Sequence, residues 1–536
     1  MHIEKLTRLT KRMPILLMGA ILIVSIISAG CADLGEQEKN TQNESLEPAI
    51  LNAAMVFGPD KGGNLDPGYG WEGWYVRKAG IYETLFSYDP EMELQPELAI
   101  GYDLINDTNW EIYLREGVKF HDGAPLNADA VIFSINRVRD ENNSRHVEYD
   151  FIEDISKEDE YTVIITTKEP YAPTIASLTD PVVSIVSPKA VDIETQPVGT
   201  GPFMFESFQT GASLTVKKNP NYWGGVVKLD GVKFQYNKDP IARSLMLSAG
   251  DVDIARAIPP AHFEIINANP NHEVLSKETL RTYFMYVNCE KAPLNDVKVR
   301  QAINYAIDRE ELVNTALEGV GGKPAKSIFP NILAWSANDK LEGYPHNKEK
   351  ALEMFAEAGI TSNDEGQLVY NGEPFTLEIQ TYSSRPELQP SAEAMAAQLE
   401  AIGISASVKI AESSAIQADM ADGNYDLALY AWGVAPSGDP DYFLTKHFVS
   451  TENICSDWTH YSNPQVDEWI VDARSTMDQD VRKEIYDKVQ SQIVEDSPEI
   501  FVFYSNELVA QSTEVKGYEI FPNEISFMTK DMFLQE

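Results

Sequence analysis

Cysteine is scarce in this chain: Cys31, Cys289 and Cys455 are all there is in 536 residues. None belongs to a C-x-x-C pair, which removes zinc ribbons and thioredoxin-like redox chemistry. Cys289 and Cys455 could pair in an oxidising compartment, but two separate buried thiols are the simpler reading. Basic residues are also few, 43 Lys and Arg against 83 Asp and Glu, for a formal net charge of -40. A surface of that sign repels phosphate backbones, so nucleic acid is not an expected partner. The 8 histidines show no spacing for shared ligation, so a metal cage built from protein alone is not expected. H-E-x-x-H, G-x-S-x-G, Walker A and EF-hand patterns are all absent. "EGVGGKPAK" lacks the Gly-Lys-Ser/Thr ending and follows a helix, so it reads as a loop after a helix C-cap. Nothing points to an enzyme, and no cofactor is expected.

A long apolar run is missing as well. Ile15 to Ile27 is shorter than the ~20 residues of a spanning helix. Lys5, Arg8, Lys11 and Arg12 precede it, and small residues lead from it into Cys31. A basic start, a short apolar core and a small-residue site make residues 1–30 a secretory signal peptide, with an uncleaved signal anchor as the alternative. Ala29-Gly30 before Cys31 resembles a lipoprotein lipobox, although Ser28 stands where that pattern usually has Leu. The expectation is a lipid on Cys31, holding the protein to the outer side of the cell membrane. Residues 31–48 are polar and acidic without apolar periodicity, which suits a flexible tether.

What the chain does have is alternation of short strands with helices. "WEIYLREGVKF" and "YTVIITTKEP" carry period-two patterns and read as strands. "DVKVRQAINYAIDREELVNTALEG" carries a helical stripe, with Asp308 and Glu311 forming a capping box that restarts or continues the helix. "NKEKALEMFAEAG" starts at an Asn cap and stops at Gly359. "FTLEIQTYSSRPELQPSAEAMAAQLEAIGISASVKIAE" is a strand–loop–helix–strand unit, which predicts a mixed α/β lobe. His121-Asp122-Gly123 stands where a strand must turn into the helix capped by Asn127, so it is a corner rather than a dyad.

Aromatic residues in loops are the remaining signal. Trp71 and Trp74 stand just before a helix-like run, and Trp432 ends a strand before a Pro/Gly/Asp loop. Loops at strand ends beside an interdomain crevice are the usual ligand sites of α/β architectures, and aromatic walls suit ligands by stacking and cation–π contact. Against this stands the ordinary burial of Trp and Tyr in a core.

Three stretches together resemble the family-5 extracellular solute-binding proteins: "LQPELAIGYDLINDTNWEIYLREGVKFHDGAPLNADAVIFSINRV", "PVGTGPFMFESFQTGASLTVKKNPNYWGG" and "VNCEKAPLNDVKVRQAINYAIDREELV". The resemblance implies an α/β, two-lobed periplasmic-binding-protein-like fold with an extra domain inserted in the first lobe. It places domain I at 49–88, 197–287 and 497–536, domain II at 89–196 and domain III at 288–496. It implies an ABC importer's permease and ATPase subunits as partners, and a peptide or nickel complex as cargo rather than cofactor. Peptide-binding members hold the peptide amine with an Asp shortly before "GDP"; here Pro436 lies three places before Asp439, so that aspartate is missing, and Asp439 itself is retained as a candidate ligand residue or as a residue that shapes the turn. Trp432-Gly433 matches the loop of nickel-binding members, and "SRHVEYDF" resembles their Arg-His stretch, which implicates Arg145, His146 and Tyr149, with His146 as a metal ligand. Their chelator arginine is replaced here by Ser184, so Arg77 or Arg385, the latter beside Tyr382, becomes the substitute. These considerations favour nickel in a small organic chelate, with di- or oligopeptides as the alternative and a ligand sensor as the alternative of another class.

Overall fold

Period-two segments meet in a large sheet that runs through most of the molecule. The computed structural model describes residues 48–59, 63–451 and 454–535, without the side chains of 454 and 455. The expected signal peptide, Cys31 and the tether up to residue 47 lie outside the described residues. The eleven-stranded sheet runs, edge to edge, through Ser405–Ala411, Thr376–Tyr382, Leu427–Gly433, His272–Val287, Glu499–Ser512, Ile254–Arg256, Ile50–Met55, Gly231–Tyr236, Ser213–Lys218 and Phe203–Gln209. Gly322–Pro324, which the sequence reads as loop, adds a short strand beside Glu499–Ser512. Its backbone pairs with residues 503–505, so tertiary pairing overrides the local glycine-rich signal.

Thr376–Tyr382 and Ser405–Ala411 are parallel and joined by the helix Leu388–Glu400, the expected βαβ unit. A separate four-stranded antiparallel sheet contains Ala99–Asn106, Asn109–Leu114, Thr162–Thr167 and Ile152–Lys157. In Asn109–Leu114 the buried residues are Trp110, Ile112 and Leu114, one face of a period-two strand. The helix Ala128–Arg139 covers this sheet, and Asn127 caps it by accepting from the Ala130 N–H at 3.1 Å. At Asp308 the helix restarts rather than continues. Val297–Ala306 ends, Ile307 is extended, and Asp308 accepts from the Glu311 N–H to open Arg309–Ala316.

The corner before Asn127 is structural. Asp122 accepts from the Ser187 hydroxyl and the Ala124 N–H, while His121 Nε2 meets the Gly201 carbonyl at 3.0 Å. Burial lowers the His121 imidazole to about 4, so it is neutral near pH 7.

Two strands tie the apolar cores together. In His272–Val287, Val274 and Leu275 pack with cores that contain Leu51 and Ala54, while Leu280 to Val287 belong to the core around Phe355 and Met395. In Glu499–Ser512, Ile500 to Tyr504 join that second core and Leu508 to Ala510 the first two. Both strands therefore change cores over a few residues, where their register also shifts between Glu278 and Thr282. A further core, from Leu85 to Ile185, lies under the four-stranded sheet. The fold is the mixed α/β, two-lobed one that the sequence predicts.

Candidate functional site

The helix Glu72–Lys78 carries side chains to two different neighbourhoods. At its start, Trp71 is 42% exposed, and the Arg145 guanidinium lies 4.2 Å from the ring centroid. Lys446, from the other lobe, stands 5.9 Å from the same ring and 3.3 Å from Glu148. Arg145 is fully engaged, donating to both oxygens of Glu148 and both of Asp180. Arg145 and Lys446 hold the Glu148 carboxyl at about 2 despite burial, which would raise it. Nearby, the Tyr171 hydroxyl donates to Asp441 and the Ala172 N–H to the Arg474 carbonyl, again across lobes. Gly438 sits against the Tyr88 ring, where a Cβ would come within 2.3 Å of it, and its φ of +72° also requires glycine.

At the other end of the helix is a cluster of charge. Lys78 lies 5.6 Å over the Trp74 ring. Arg281, on the strand that changes cores, makes a bidentate pair with Glu524 at 2.7 and 3.0 Å. Arg256 makes one with Glu507 at 2.5 Å for both bonds. Arg385, in the loop after Thr376–Tyr382, lines the same narrow space as Arg281, Glu507 and Glu524, a gap of about 40 Å³. Arg385 and Lys78 belong to no ion pair among the described residues, although both act electrostatically on Glu524. Burial would raise the Glu524 carboxyl, but Arg281, Arg385 and Lys78 hold it well below its usual range. Burial also opposes the Arg385 charge, yet Tyr283, Glu524, Tyr382 and Glu387 raise it above the ordinary arginine value. Burial, with Arg256 and Arg281 adding to it, brings the Lys78 ammonium down to about 7.

Trp432 lies on the neighbouring strand but faces away from this cluster. It pairs in register with Thr282, while the next residue, Gly433, pairs with Arg281, so the Trp432 ring and the Arg281 side chain leave opposite faces of the sheet. Below it lies His447, wholly buried, its ring 5.1 Å from Trp432 and 3.6 Å from Phe443. His447 Nδ1 shares a 2.7 Å hydrogen bond with the equally buried Glu499. Tyr382 is 8% exposed and packs on Tyr430, 5.0 Å between centroids.

The other residues singled out in the sequence lie elsewhere. Arg77 is bound to Glu97 at 2.6 Å and to the Tyr82 carbonyl. Asp439 receives both terminal nitrogens of Arg482, at 2.6 and 2.8 Å, with both side chains buried. The Tyr149 hydroxyl donates to the Ser177 carbonyl. His146 joins the Asn143 carbonyl and lines a cavity of about 370 Å³ with Arg139, Glu141, Tyr149 and Asp150, none of which comes from the other lobe. Among the described residues no group of three metal-ligating side chains occurs. Cys289 is a free thiol, which burial pushes up to about 11; the side chain of Cys455 lies outside the described residues.

The structure thus brings Arg385 together with Arg281 and Glu524, with Trp74 on the helix that carries Lys78, and Trp71 together with Arg145, while Tyr382 packs on Tyr430 and Trp432 on His447. A cavity of about 830 Å³ is lined by Tyr69, Trp71, Glu72, Tyr75, Arg137 and Lys238 among others, and it adjoins Trp71 and Arg145 rather than the cations around Glu524. Sequence reading missed Lys78, Arg281 and Glu524. Arg281 carries a readable signal, a lone charge in the apolar strand segment "TLRTYFMYV"; Glu524 carries none.

Comparison with known proteins agrees with this architecture. Residues 93–454 match the profile described as "Bacterial extracellular solute-binding proteins, family 5 Middle". The heme-binding protein A of Haemophilus influenzae is 28% identical over 527 residues, covering 92% of this chain and 94% of that protein. The glutathione-binding protein GsiB of Escherichia coli O1:K1 is 30% identical over 472 residues, covering 85% and 89%. The crystal structure of a nickel ABC transporter protein from Bacillus halodurans superposes with a TM-score of 0.75 at 30% identity, covering 91% and 100%.

Proposed function

Because the chain belongs to the family-5 bacterial extracellular solute-binding proteins, we propose that it is the ligand-capturing subunit of an ABC importer, closing on a small ligand that bears a carboxylate. The observation that carries this reading is Arg385, a half-buried guanidinium between lobes with no carboxylate of its own among the described residues. Arginine offers a carboxylate a planar, two-bond fit. A di- or oligopeptide is the ligand class that suits this geometry, since its C-terminus supplies the carboxylate. Nickel in a small organic chelate is the second reading. It is favoured by Trp432 and by the 30% identity to the nickel transporter structure, and the chelator would supply the carboxylate. No accessible imidazole among the described residues lies beside Arg385 to complete the metal's coordination, since His447 is wholly buried.

Domain partition follows the sequence expectation in this proposal, with the hinge inside the strands His272–Val287 and Glu499–Ser512. The subunit acts outside the cytoplasm, tethered through a lipid on Cys31, and hands its ligand to permease and ATPase subunits. No covalent chemistry is part of the proposal. Among the described residues no helix is long and apolar enough to cross a membrane.

A thermal-shift panel on the full chain tests the ligand, using Ni²⁺ alone, Ni²⁺ with L-histidine, and a mixture of di- to pentapeptides. A ligand at about a hundred times its Kd adds roughly 2.7 kcal/mol, a readily measured shift. Stabilisation by peptides that is lost in Arg385→Met supports the first reading. Stabilisation only by Ni²⁺ with histidine replaces it with the second. Palmitate labelling that disappears in Cys31→Ala tests the anchor.

A further inference from the structure

The cluster at the seam holds more positive charge than its carboxylates neutralise. Arg281 and Arg385 line one gap with Glu507 and Glu524, Arg256 pairs with Glu507, and Lys78 acts electrostatically on both glutamates. Each glutamate is taken in bidentate fashion by one arginine, Glu507 by Arg256 and Glu524 by Arg281. Glu387, the next carboxyl, accepts from the Tyr283 hydroxyl at 2.8 Å, and burial raises it above the usual range, which diminishes its charge. Two cations are left over, in a chain where acidic residues outnumber basic ones 83 to 43. One is Lys78, on the first-lobe helix; the other is Arg385, on the second-lobe loop. One further donor stands on the same helix as Lys78: Trp74 Nε1 is buried without an acceptor.

Like charges gathered out of water repel, and the repulsion is relieved by anions placed between them. From this arrangement we propose that the ligand is doubly anionic, with one carboxylate held by Arg385 of the second lobe and another by Lys78 of the first. The inference rests on the carboxylate reading above and adds the substrate class: an acidic peptide or a polycarboxylate chelator. It also ties recognition to closure. A ligand with one carboxylate engages one lobe fully, whereas a ligand with two joins both and favours the closed arrangement by its differential affinity.

Lys78 adds a signature that a packing role lacks. It is faced by Arg256, Arg281, Glu507, Glu524 and the Trp74 ring, and its ammonium has fallen to about 7. A carboxylate arriving beside it raises that value again, so binding at pH 8 draws a proton from the buffer.

The experiment uses isothermal titration on the full chain with two matched pairs of probes, Ala-Ala against Ala-Glu and butyrate against tricarballylate. It includes wild type, Lys78→Met, Lys78→Arg and Arg385→Met, each checked for an unchanged melting transition. The expected result is a Kd at least tenfold lower for the more acidic member of a pair in wild type. That ratio falls below threefold in Lys78→Met and returns in Lys78→Arg. In wild type at pH 8 the binding enthalpy varies between phosphate and Tris with a slope of proton uptake, and this slope disappears in Lys78→Met. Equal affinities within both pairs, a preference that survives Lys78→Met, or no binding of any probe to wild type would overturn the inference. Binding of Ala-Ala that needs Arg385 but ignores Lys78 would sink the two-cation inference and leave the carboxylate reading standing. Binding indifferent to Arg385→Met would sink the carboxylate reading itself.

Discussion

Asp439 and Arg482 show how a residue in a family loop can be structural. Both are buried, and each end of the pair satisfies the other through two hydrogen bonds. Removing one partner from such a pair leaves an uncompensated charge, at a cost of about 3–5 kcal/mol. Asp439→Asn should therefore lower the denaturant midpoint strongly, while the folded fraction binds ligand with nearly unchanged Kd; a large loss of affinity with little loss of stability would return Asp439 to the site. The His447–Glu499 pair makes a prediction in pH. Burial lifts the Glu499 carboxyl well above 4.5, so the folded chain keeps a proton that the unfolded chain releases. Folding then takes up a proton, and this group's contribution to stability falls as pH rises toward its folded value. Burial, reinforced by Lys446, keeps His447 neutral, so below about pH 6.5 its opposite slope offsets that of Glu499. Above about pH 6.5 the His447 slope is gone and, of this pair, the Glu499 slope remains. The calorimetric stability of wild type relative to Glu499→Gln should therefore fall as pH rises above about pH 6.5, and a constant difference would show that Glu499 does not hold the proton.

Elements were the most legible scale. Period-two and period-3.6 patterns located the strands and helices, and caps located their starts: Asn127, Asp308 and Asn347 all accept from the backbone three residues on. Asn127→Ala should cost about 1 kcal/mol in chemical denaturation and leave ligand affinity unchanged, because its helix covers the four-stranded sheet and contributes nothing to the cationic seam. The site was legible only in part, for a physical reason. Arg385 sits in a loop and Trp432 near the end of a strand, both with composition signals, but a ligand site between lobes is completed by residues distant in sequence. Arg281 and Glu524 are 243 positions apart, and no local pattern announces that they meet. Arg145 was visible only through the resemblance of "SRHVEYDF" to an Arg-His stretch, and its two acidic partners, one of them 35 residues away, decide that it holds Trp71 rather than standing free. Spacing reveals which residues share an element; it does not reveal which charges are already satisfied.

At the scale of the whole molecule, two kinds of connection hold the lobes: covalent continuity through the core-changing strands and a small set of polar contacts at the seam. The strands are extensively paired, and their register shifts between Glu278 and Thr282 and again between Tyr283 and Phe284, so bending there costs few hydrogen bonds. The seam is weaker. Lys446 and Glu148 are 28% and 27% exposed, and a pair of that exposure is worth under about 1 kcal/mol. The Tyr171–Asp441 hydrogen bond, at 3.2 Å, adds about 1 kcal/mol. Together they bias closure by roughly a factor of ten, small enough for a ligand to dominate the equilibrium and large enough to measure. The double variant Lys446→Met with Tyr171→Phe should therefore bind ligand about 3–10-fold more weakly, while its melting temperature without ligand moves by only a few degrees. Small-angle scattering should show a larger radius of gyration for the ligand-free variant than for wild type, and the two should converge at saturating ligand. Convergence matters because it separates a shifted equilibrium from a damaged site. If the variant stayed expanded at saturation, the seam would be part of the closed-state binding surface rather than a bias on closure. If neither radius nor affinity changed, closure would be governed by the strands alone.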